Sequence, residues 1–580
     1  MVMTTDRQVA VAPRLTMQTM DIAENTTAVR SLDWDRERFD IEFGLQNGTT
    51  YNSYVIKGDK IALVETTHPK FKQLYLEILA GIVDPAAIDY IILSHTEPDH
   101  SGLVKTLLDL APNATVVASR VALQFLDNLI HCPYKKMPVK GGMTLDLGQG
   151  HVLEFINAPN LHWPDTMFTY DAKTKVLYTC DAFGMHYCST EMFDEDLSKL
   201  DADFRFYYEC LMAPNARSVL TALKRIDKLP GYDTLAVGHG PVLRFNVEEL
   251  IRRYREWSQK RASAETLAVI FYCSNYGYAT RMSQAIAHGI AKNASVAVGM
   301  VDLSVADPQE VNEMVSRASA LVVGTYDQDD EQVEAAISTI LSAAKGSGKN
   351  RQSIGIFESF GGNDEPSYTL QNKFLDLGLK RAFKVIRVMD TPSEPVYQTC
   401  EEAGTDLGQA LTRKEKTKQI KSLDGNLDQA MGRLSGGLYI ITAQKGDVSG
   451  AMLASWVAQA SFEPLGLSIA VAKDRAIESL MQVNDTFVLN VLEEGNYNFL
   501  MTHFLKRFAP GQDRFEGIET QRAQNGSPIL SDSLAFLECK VSRRMDVGDH
   551  WVVYSTVDEG RVAKDQGMTA VHHRKVGNHY

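Results

Sequence analysis

Cysteine is scarce in this chain. Seven cysteines are spread over 580 residues, and no two of them form a Cys-x-x-Cys pair. An odd, scattered set of this kind excludes a disulfide framework. The sequence therefore predicts a protein of a reducing compartment, and we expect a cytoplasmic location.

Long apolar runs and an excess of basic charge are also lacking. No stretch approaches the roughly 18 consecutive apolar residues that a membrane-spanning helix requires. The first 20 residues show no basic start followed by an apolar block, so we predict neither a membrane span nor an export signal. Lysine and arginine total 59 against 73 aspartate and glutamate residues, a net charge of −14. This acidic balance argues against nucleic acid as the main partner.

The length and composition predict a multidomain globular protein. At about 150 residues per domain, a chain of this size corresponds to three or four domains. Two polar stretches, at 258–265 and 404–424, separate three regions of different pattern. We predict an N-terminal extension (1–30), a first domain (31–260), a second domain (262–403), a solvated and flexible linker (404–424) and a third domain (425–580).

The second and third regions differ in their predicted secondary structure. The apolar runs LAVIFY at 267–272, ALVVGTY at 320–326 and IGIFESF at 354–360 alternate with helical patterns. This order predicts a doubly wound parallel sheet. The third region is rich in strand patterns from residue 437 onward, after a short helical pattern.

The strongest chemical signal is the run His95-Thr96-Glu97-Pro98-Asp99-His100, which follows an apolar strand pattern. Three further ligand-type residues come at the ends of other strand-like runs, where loops gather at one edge of a sheet. The side chains at alternate positions from His95 to Asp99 can converge on one point, while His100 points elsewhere. This arrangement favours two neighbouring metal ions over one. The predicted metal ligands are His95, Glu97, Asp99, His100, His162, Asp181 and His239. We predict that His68, His131, His151 and His186 are ordinary turn residues.

This pattern resembles the metallo-β-lactamase-like domain of flavodiiron proteins, and the resemblance implies an αββα sandwich that holds two iron ions. Hydrolases of that superfamily generally carry histidine where this chain has Glu97. A carboxylate makes the site harder and more negative, which suits iron better than zinc. The resemblance implies one iron held by His95, Glu97 and His162, a second held by Asp99, His100 and His239, and a bridge through Asp181.

Loops after three strands of the second region resemble the FMN-binding loops of the flavodoxin domain of flavodiiron proteins. Backbone amides and hydroxyls at a strand-to-helix turn form a phosphate cradle. The implied FMN-binding residues are Ser274, Asn275, Tyr276, Gly277, Tyr278, Thr280, Gly324, Thr325, Tyr326, Ser359, Phe360, Gly361 and Gly362. The phosphate loop departs from the usual pattern at Tyr278 and Ala279, and the second loop continues into acidic residues at 327, 329, 330 and 331. We therefore expect FMN to bind, but more weakly than in a domain with the usual loops.

The third region resembles the flavin reductase family of FMN-binding split β-barrels. Small and hydroxyl side chains there allow a flat ring to approach the backbone. The implied ligands of this second flavin, FMN or FAD, are Ser455, Trp456, Gln459, Ser461 and Asn490. The Gly548-Asp549-His550 motif places His550 near the nicotinamide of NAD(P)H, and we predict a catalytic role for His550. The alternative is that Trp456 and its apolar neighbours only form barrel core.

Together the three regions resemble flavodiiron proteins with a fused flavin reductase, a type found in oxygenic phototrophs. The resemblance implies an NAD(P)H:oxygen oxidoreductase that reduces O2 to water at the diiron site. Two irons and one flavin store four electrons, which is the number that this reduction requires. It also implies a head-to-tail homodimer or a hetero-oligomer with a related diflavin protein.

Several alternatives remain open from the sequence. Nitric oxide is a second substrate within the same class, and ferredoxin is a second electron donor beside NADH and NADPH. From other classes, the chain is a zinc hydrolase or an inactive subunit that only docks flavins. Glu97 argues against the hydrolase, and the complete ligand set argues against the inactive subunit.

Overall fold

The computed structural model describes residues 14–39, 43–264, 266–273, 278–293, 295–303, 306, 308–325, 331–346, 352–359, 366–388, 391–421 and 425–574. The chain forms two compact units, one built mainly from residues 14–258 and one mainly from residues 259–574. The first unit holds the predicted metal ligands. The second unit holds both predicted flavin domains.

The first unit contains a seven-stranded sheet with both faces buried. Its strands are β1 (Leu15–Ala23), β2 (Thr26–Asp33), β5 (Thr49–Lys57), β6 (Ile61–Val64), β7 (Ile88–Leu93), β8 (Thr115–Ser119) and β9 (Lys135–Val139), with α1 (Lys72–Ile82), α2 (Pro98–Ser101), α3 (Val104–Leu110) and α4 (Arg120–Ile130). A short ribbon of β3 (Arg38–Phe39) and β4 (Phe43–Gly44) comes between β2 and β5 in the chain and is not part of this sheet. The strand order is β1-β2-β5-β6-β7-β8-β9. Because side chains alternate along a strand, Val55 and Ile91 pack with the helices, while Tyr54 and Ile92 face a second sheet.

The second sheet of this unit completes a sandwich. Its strands are β10 (Thr144–Gly148), β11 (His151–Asn157), β12 (Met167–Asp171), β13 (Val176–Cys180) and β14 (Thr234–Val237), and its helices are α5 (Leu197–Tyr207), α6 (Ala216–Ile226) and α7 (Val247–Ala262). Phe155 and Tyr178 pack against the first sheet in one continuous core. The predicted sandwich is confirmed.

The sandwich begins earlier than we predicted. The strands β1 and β2 lie within the stretch that we expected to be an N-terminal extension, yet β2 pairs with β5 along its whole length. Thr26 and Ala28 of β2 are fully buried. Alternation in this stretch is obscured by polar residues such as Arg30, which is buried and bonded to Gln18 and to the carbonyl of Glu191. Residues 15–30 therefore belong to the first domain.

The second domain is a doubly wound parallel sheet, as predicted. Its strands are β15 (Thr266–Tyr272), β16 (Val296–Asp302), β17 (Ala320–Thr325), β18 (Ser353–Ser359), β19 (Lys380–Arg381) and β20 (Ile386–Val388), and its helices are α8 (Tyr278–Ala291), α9 (Pro308–Arg317), α10 (Glu331–Gly346), α11 (Pro366–Asp376) and α12 (Glu394–Lys421). The order β16-β15-β17-β18-β19 is that of flavodoxin-like sheets. The carboxyl ends of β15, β17 and β18 therefore share one edge, where the predicted flavin loops begin.

Residues 404–421 of the stretch that we predicted as a flexible linker are helical in the structure. The helix α12 continues to Lys421 without a break. A β-carbon on Gly404 would lie 2.1 Å from the carbonyl oxygen of Ile286, and one on Gly289 would lie 2.0 Å from that of Glu401. These glycines let α12 and α8 pack backbone to backbone. The polar composition of 404–424 concealed this contact, because small residues rather than large apolar ones make it.

The third domain is a split β-barrel. It contains α13 (Gly425–Met431) and α14 (Asn498–Leu505) together with β21 (Gly436–Gly437), β22 (Tyr439–Lys445), β23 (Val448–Ala454), β24 (Val457–Phe462), β25 (Leu465–Ala472), β26 (Thr486–Val491), β27 (Thr520–Arg522), β28 (Pro528–Leu530), β29 (Ala535–Asp546), β30 (His550–Val562) and β31 (Val571–His572). Seven strands follow the order β23-β22-β26-β29-β30-β25-β24. Ile441, Val471, Phe487 and Val541 meet in its core. None of the helices that the structure describes combines the length and apolarity that a membrane crossing requires.

Candidate functional site

The seven side chains predicted as metal ligands meet at the ends of strands from both sheets of the first domain. The strands β7, β13 and β14 end at Leu93, Cys180 and Val237, one or two residues before a predicted ligand. Every one of the seven residues is buried. The residues that the structure brings together are His95, Glu97, Asp99, His100, His162, Asp181 and His239.

One group of ligand atoms surrounds the Glu97 carboxylate. Glu97 Oε2 lies 3.1 Å from His95 Nε2 and 3.1 Å from His162 Nε2. Asp181 Oδ2 closes the group at 3.2 Å from His162 Nε2 and 3.6 Å from His95 Nε2. Two imidazole nitrogens and two carboxylates thus face one point.

A second group forms on the other side of Asp181. Asp181 Oδ1 lies 2.9 Å from His100 Nε2 and 3.2 Å from His239 Nε2. Asp99 completes the group, with Oδ2 3.4 Å from His239 Nε2 and Oδ1 3.6 Å from His100 Nε2. His100, which we expected to point away from the alternate residues of the loop, faces this second point.

The arrangement fits two neighbouring cations with Asp181 between them. Asp181 Oδ2 and both carboxylate oxygens of Asp99 are buried and accept no hydrogen bond from the described residues. A buried carboxylate oxygen without a donor is costly unless a cation satisfies it. The nitrogens and oxygens of both groups are of the hard and borderline type that suits iron.

A further layer of contacts orients the histidine rings. Asp165 Oδ1 lies 3.0 Å from His95 Nδ1, and Asp165 Oδ2 accepts hydrogen bonds from the backbone N–H and the hydroxyl of Thr96. His239 Nδ1 lies 2.6 Å from the carbonyl oxygen of Thr50. Such contacts at Nδ1 fix the tautomer and leave Nε2 to face a metal.

The sequence did not reveal Asp165 or the role of His186. Asp165 follows His162 by three residues, and this short spacing is the one local signal for it. His186, which we predicted to be a turn residue, is buried with its ring 4.8 Å from that of His239. Its Nδ1 lies 2.8 Å from the Thr49 hydroxyl, and its ring lines the site. Only the folding of separate strands brings His186 there.

The other three histidines lie away from the ligand groups. His68 caps a short helix by accepting from the backbone N–H of Lys70, and His131 ends α4 in the left-handed conformation. His151 is more than a turn residue, because it is buried and pairs with Asp171 at 2.7 Å. This Asp–His pair resembles that of Asp165 and His95 but stands outside the site.

Burial and the neighbouring charged groups shift the pKa values of His162 and Glu97 in opposite directions. Burial by itself lowers the pKa of His162, but the adjacent carboxylates of Asp181 and Glu97 outweigh burial and raise the pKa to about 9. Burial raises the pKa of Glu97, while His162 and His95 hold that pKa well below its usual range. Histidine protons must therefore leave before a metal enters. Metal affinity consequently falls as the pH falls.

We expect Asp165→Asn to weaken metal binding by about 10- to 100-fold, because the amide holds the His95 ring less firmly and lowers its basicity. Metal affinity is measured by competition with a chelator of known affinity. Asp171→Asn is the matched control, since it alters the same kind of buried Asp–His pair outside the site. Equal loss of affinity in both variants would contradict a specific role for Asp165.

Most predicted FMN ligands of the second domain lie outside the described residues, namely Ser274, Asn275, Tyr276, Gly277, Tyr326, Phe360, Gly361 and Gly362, together with the acidic residues at 327, 329 and 330. Tyr278 begins α8, and Thr325 ends β17. Thr280 Oγ1 is buried without a hydrogen-bond partner among the described residues, and Ser359 is buried at the end of β18. Packing also requires glycine at position 324, because a β-carbon there would lie 2.2 Å from the Phe357 ring.

In the third domain, Ser455 and Trp456 directly precede the strand β24, and Gln459 and Ser461 lie on that strand. The rings of Trp456 and His550 lie 5.2 Å apart, and Ser455 Oγ is buried without a hydrogen-bond partner among the described residues. Gln459 lies exposed on the edge strand β24. Ser461 Oγ donates to the carbonyl of Pro464 and contacts the hydroxyl of Tyr554. Trp456, at 37% exposure, is a surface side chain and does not form barrel core.

Asn490 does not join these residues. Its side-chain amide donates to the carbonyl of Ile440 and the hydroxyl of Thr442, and its Oδ1 accepts from the backbone N–H of Leu530. The residue is fully buried. These hydrogen bonds engage the Asn490 amide within the domain itself, and its role as a flavin ligand stays a prediction.

A cleft of about 310 Å³ lies in the second unit, between α12 and the barrel. Its lining carries the basic residues Arg475, Lys506, Arg507 and Arg514, the acidic residues Glu402, Asp406 and Asp474, and the aromatic rings of Phe504 and Phe508. Arg507 pairs with Asp406, and Arg514 pairs with Glu402. The sequence analysis singled out none of these residues.

Comparison with known proteins places each domain in a family. Residues 49–240 match the ODP family beta lactamase, residues 270–404 match flavodoxin, and residues 431–578 match the flavin reductase like domain. Diflavin flavoprotein A 1 from Synechocystis sp. is 64% identical over 567 residues, which cover 98% of each chain. A diflavin flavoprotein A from Nostoc sp. is 63% identical over 569 residues, also 98% of each chain.

A solved structure extends the comparison to the first two domains. The metal-soaked Flv1 flavodiiron core from Synechocystis sp. is 36% identical, with a TM-score of 0.63, and covers 69% of this chain and 100% of its own. Two irons and flavin are the cofactors of this group. The order of the three domains, the similarity to relatives over the full length and the two paired ligand groups all indicate the same family. The chain belongs to the diflavin flavoproteins, flavodiiron oxidoreductases in which a flavin reductase domain is fused to the diiron and flavodoxin domains.

Proposed function

We propose that this chain is an NAD(P)H:oxygen oxidoreductase that reduces O2 to water at the diiron site. The observation that carries the proposal is the position of Asp181 between two ligand groups, each with two histidines and a further carboxylate. Two irons side by side, fed by flavin, supply the four electrons that convert O2 and four protons into two waters. The seven side chains named above serve as the iron ligands.

The residues of the first domain hold and enclose this site. Three carboxylates, from Glu97, Asp99 and Asp181, offset the charge of two cations in a buried place. This charge favours iron over zinc, which argues against a hydrolase of the same superfamily. The rings of His186 and Tyr207 lie 4.9 Å apart beside His239 and limit the entry of water.

The third domain takes electrons from NAD(P)H. His550 contacts Trp456 at the surface, and we assign His550 to the positioning of the nicotinamide for hydride transfer. Electrons then pass to the FMN of the second domain. A head-to-tail dimer, in which this FMN serves the diiron site of a second subunit, and the cytoplasmic location stay predictions.

The test is substrate consumption by purified, iron-loaded protein. We expect close to two irons per chain and O2 consumption with NADH or NADPH, without release of hydrogen peroxide. Nitric oxide as the substrate and reduced ferredoxin as the donor are compared in parallel. Faster loss of nitric oxide would assign the chain to nitric oxide reduction, and zinc bound in place of iron would contradict the oxidoreductase.

A further inference from the structure

Four buried charged side chains join the second and third domains. They lie directly after α8, on α12, on the turn before β26 and on β29, and each side chain is less than 10% exposed. We call these residues the charge cluster, and they are Lys292, Glu401, Glu478 and Arg544. Within the cluster, Lys292 pairs with Glu401, and Arg544 pairs with Glu478. Lys292 Nζ also donates to Glu478 Oε2 at 2.9 Å.

Each domain contributes one positive and one negative side chain to the cluster, so the charges balance within each domain. Lys292 and Glu401 belong to the flavodoxin domain, while Glu478 and Arg544 belong to the reductase domain. The contact between Lys292 and Glu478 is therefore the link of the cluster that crosses the boundary. Burial raises the pKa of Glu478, but Lys292 and Arg544 hold that pKa well below its usual range, so the carboxylate stays charged.

The helix α12 carries further contacts to the reductase domain along the same face. Gln409 Nε2 donates to the carbonyl of Asp474 at 2.7 Å. Arg514 pairs with Glu402 at 2.9 Å, and Glu402 also accepts from the backbone N–H of Gly511. The α12 helix is thus fixed to α8 by its glycines and to the barrel by its polar side chains.

The cluster also reaches the predicted nicotinamide site. The Arg544 guanidinium lies 4.2 Å from the centre of the Trp551 ring, and Trp551 follows His550 directly. On the other side, Lys292 follows α8, the helix that begins at the predicted phosphate loop. One buried contact therefore connects the elements that carry the two predicted flavin sites.

We propose that the charge cluster is a positioning element that holds the reductase domain in one orientation on the flavodoxin domain of the same chain. Buried ion pairs contribute little net stability compared with apolar residues, but they can specify one geometry. In that orientation the reduced flavin of the reductase domain passes two electrons and two protons to the oxidised FMN of the flavodoxin domain. The inference rests on the proposed function for this direction of electron flow.

The double variant Lys292→Met/Glu401→Gln tests the proposal in the full-length, iron-loaded protein. It removes the contact with Glu478 while each domain keeps a balanced charge, so we expect it to fold. We expect O2 consumption with NAD(P)H to fall at least about tenfold, because small displacements of reacting groups are costly. Reduction of ferricyanide by NAD(P)H, which requires only the reductase domain, should stay at the wild-type rate.

Amide hydrogen exchange gives a readout that does not depend on activity. We expect faster exchange in α12 and in residues 476–482 of the double variant, and wild-type exchange in Lys292→Arg, which keeps the charge. Lys105→Met/Asp109→Asn is the matched control, since it removes an exposed ion pair of the first domain. It should change neither readout.

Three results would overturn the proposal. The first is wild-type O2 consumption and wild-type exchange in the double variant. The second is an equal fall in O2 consumption and ferricyanide reduction, which would indicate a purely structural role. The third is wild-type exchange in α12 together with a fall in O2 consumption. If the wild type itself consumes no O2, the proposed function fails, while hydrogen exchange still decides whether the cluster positions the domains.

Discussion

Replacing Asp181 by alanine will remove both irons and abolish O2 consumption. The two carboxylate oxygens face different ligand groups, so the variant loses a ligand of each metal at once. It also leaves two cations facing each other in a buried site without the charge between them. We expect metal affinity to fall by more than about 100-fold, which is a larger loss than the one expected for Asp165→Asn, where only an orienting contact is weakened. Iron analysis after gel filtration measures the loss directly.

The control for Asp181→Ala is Asp109→Ala. Asp109 is a carboxylate of the same domain whose side chain is 64% exposed, and it lies outside the ligand groups. This control should retain close to two irons per chain and full O2 consumption. Retention of one firmly bound iron in Asp181→Ala would contradict the bridge and assign Asp181 to a single metal.

Replacing His550 by alanine will slow hydride transfer from NAD(P)H while the flavin stays bound. The His550 ring lies against Trp456, and its Nδ1 is 2.8 Å from Asp549 Oδ1. Loss of a group that aligns the nicotinamide should slow flavin reduction by about 10- to 100-fold. Anaerobic stopped-flow mixing with NADH or NADPH measures this rate, and the flavin content is read from the absorption spectrum.

His573→Ala serves as the control for His550→Ala. His573 is an exposed histidine near the end of the described chain, and it is not among the residues predicted to bind flavin or nicotinamide. The variant leaves its neighbour Arg574, which lies 5.1 Å from the centre of the Trp456 ring, unchanged. It should reduce its flavin at the wild-type rate. Flavin reduction at that rate in His550→Ala would refute the catalytic role, and loss of flavin from this variant would assign His550 to flavin binding.

The two predictions separate the two ends of the proposed electron pathway. Asp181→Ala should leave reduction of the flavins by NAD(P)H intact, because its effect is confined to the diiron domain. His550→Ala should leave the iron content intact, because its effect is confined to the reductase domain. The charge cluster lies between the flavin domains, and its variants should spare both iron binding and flavin reduction.

The sequence by itself determined the residue types at the site and the class of each domain. Each of His162, Asp181 and His239 comes just after an apolar run, and such local order needs no long-range information. The strand and helix patterns at 267–359 likewise determined the parallel sheet. These features are local, so a single sequence carries them.

The tertiary structure decided what depends on neighbours distant in the chain. Asp165 supports His95 across 70 residues, and His186 reaches His239 only when separate strands converge. The predicted linker became a helix because glycines permit a close backbone contact with α8. The Asn490 amide is engaged by β22 and β28, which are distant from it in the chain. Hydrogen-bond partners and close backbone contacts are set by the whole fold, and no local pattern of residues encodes them.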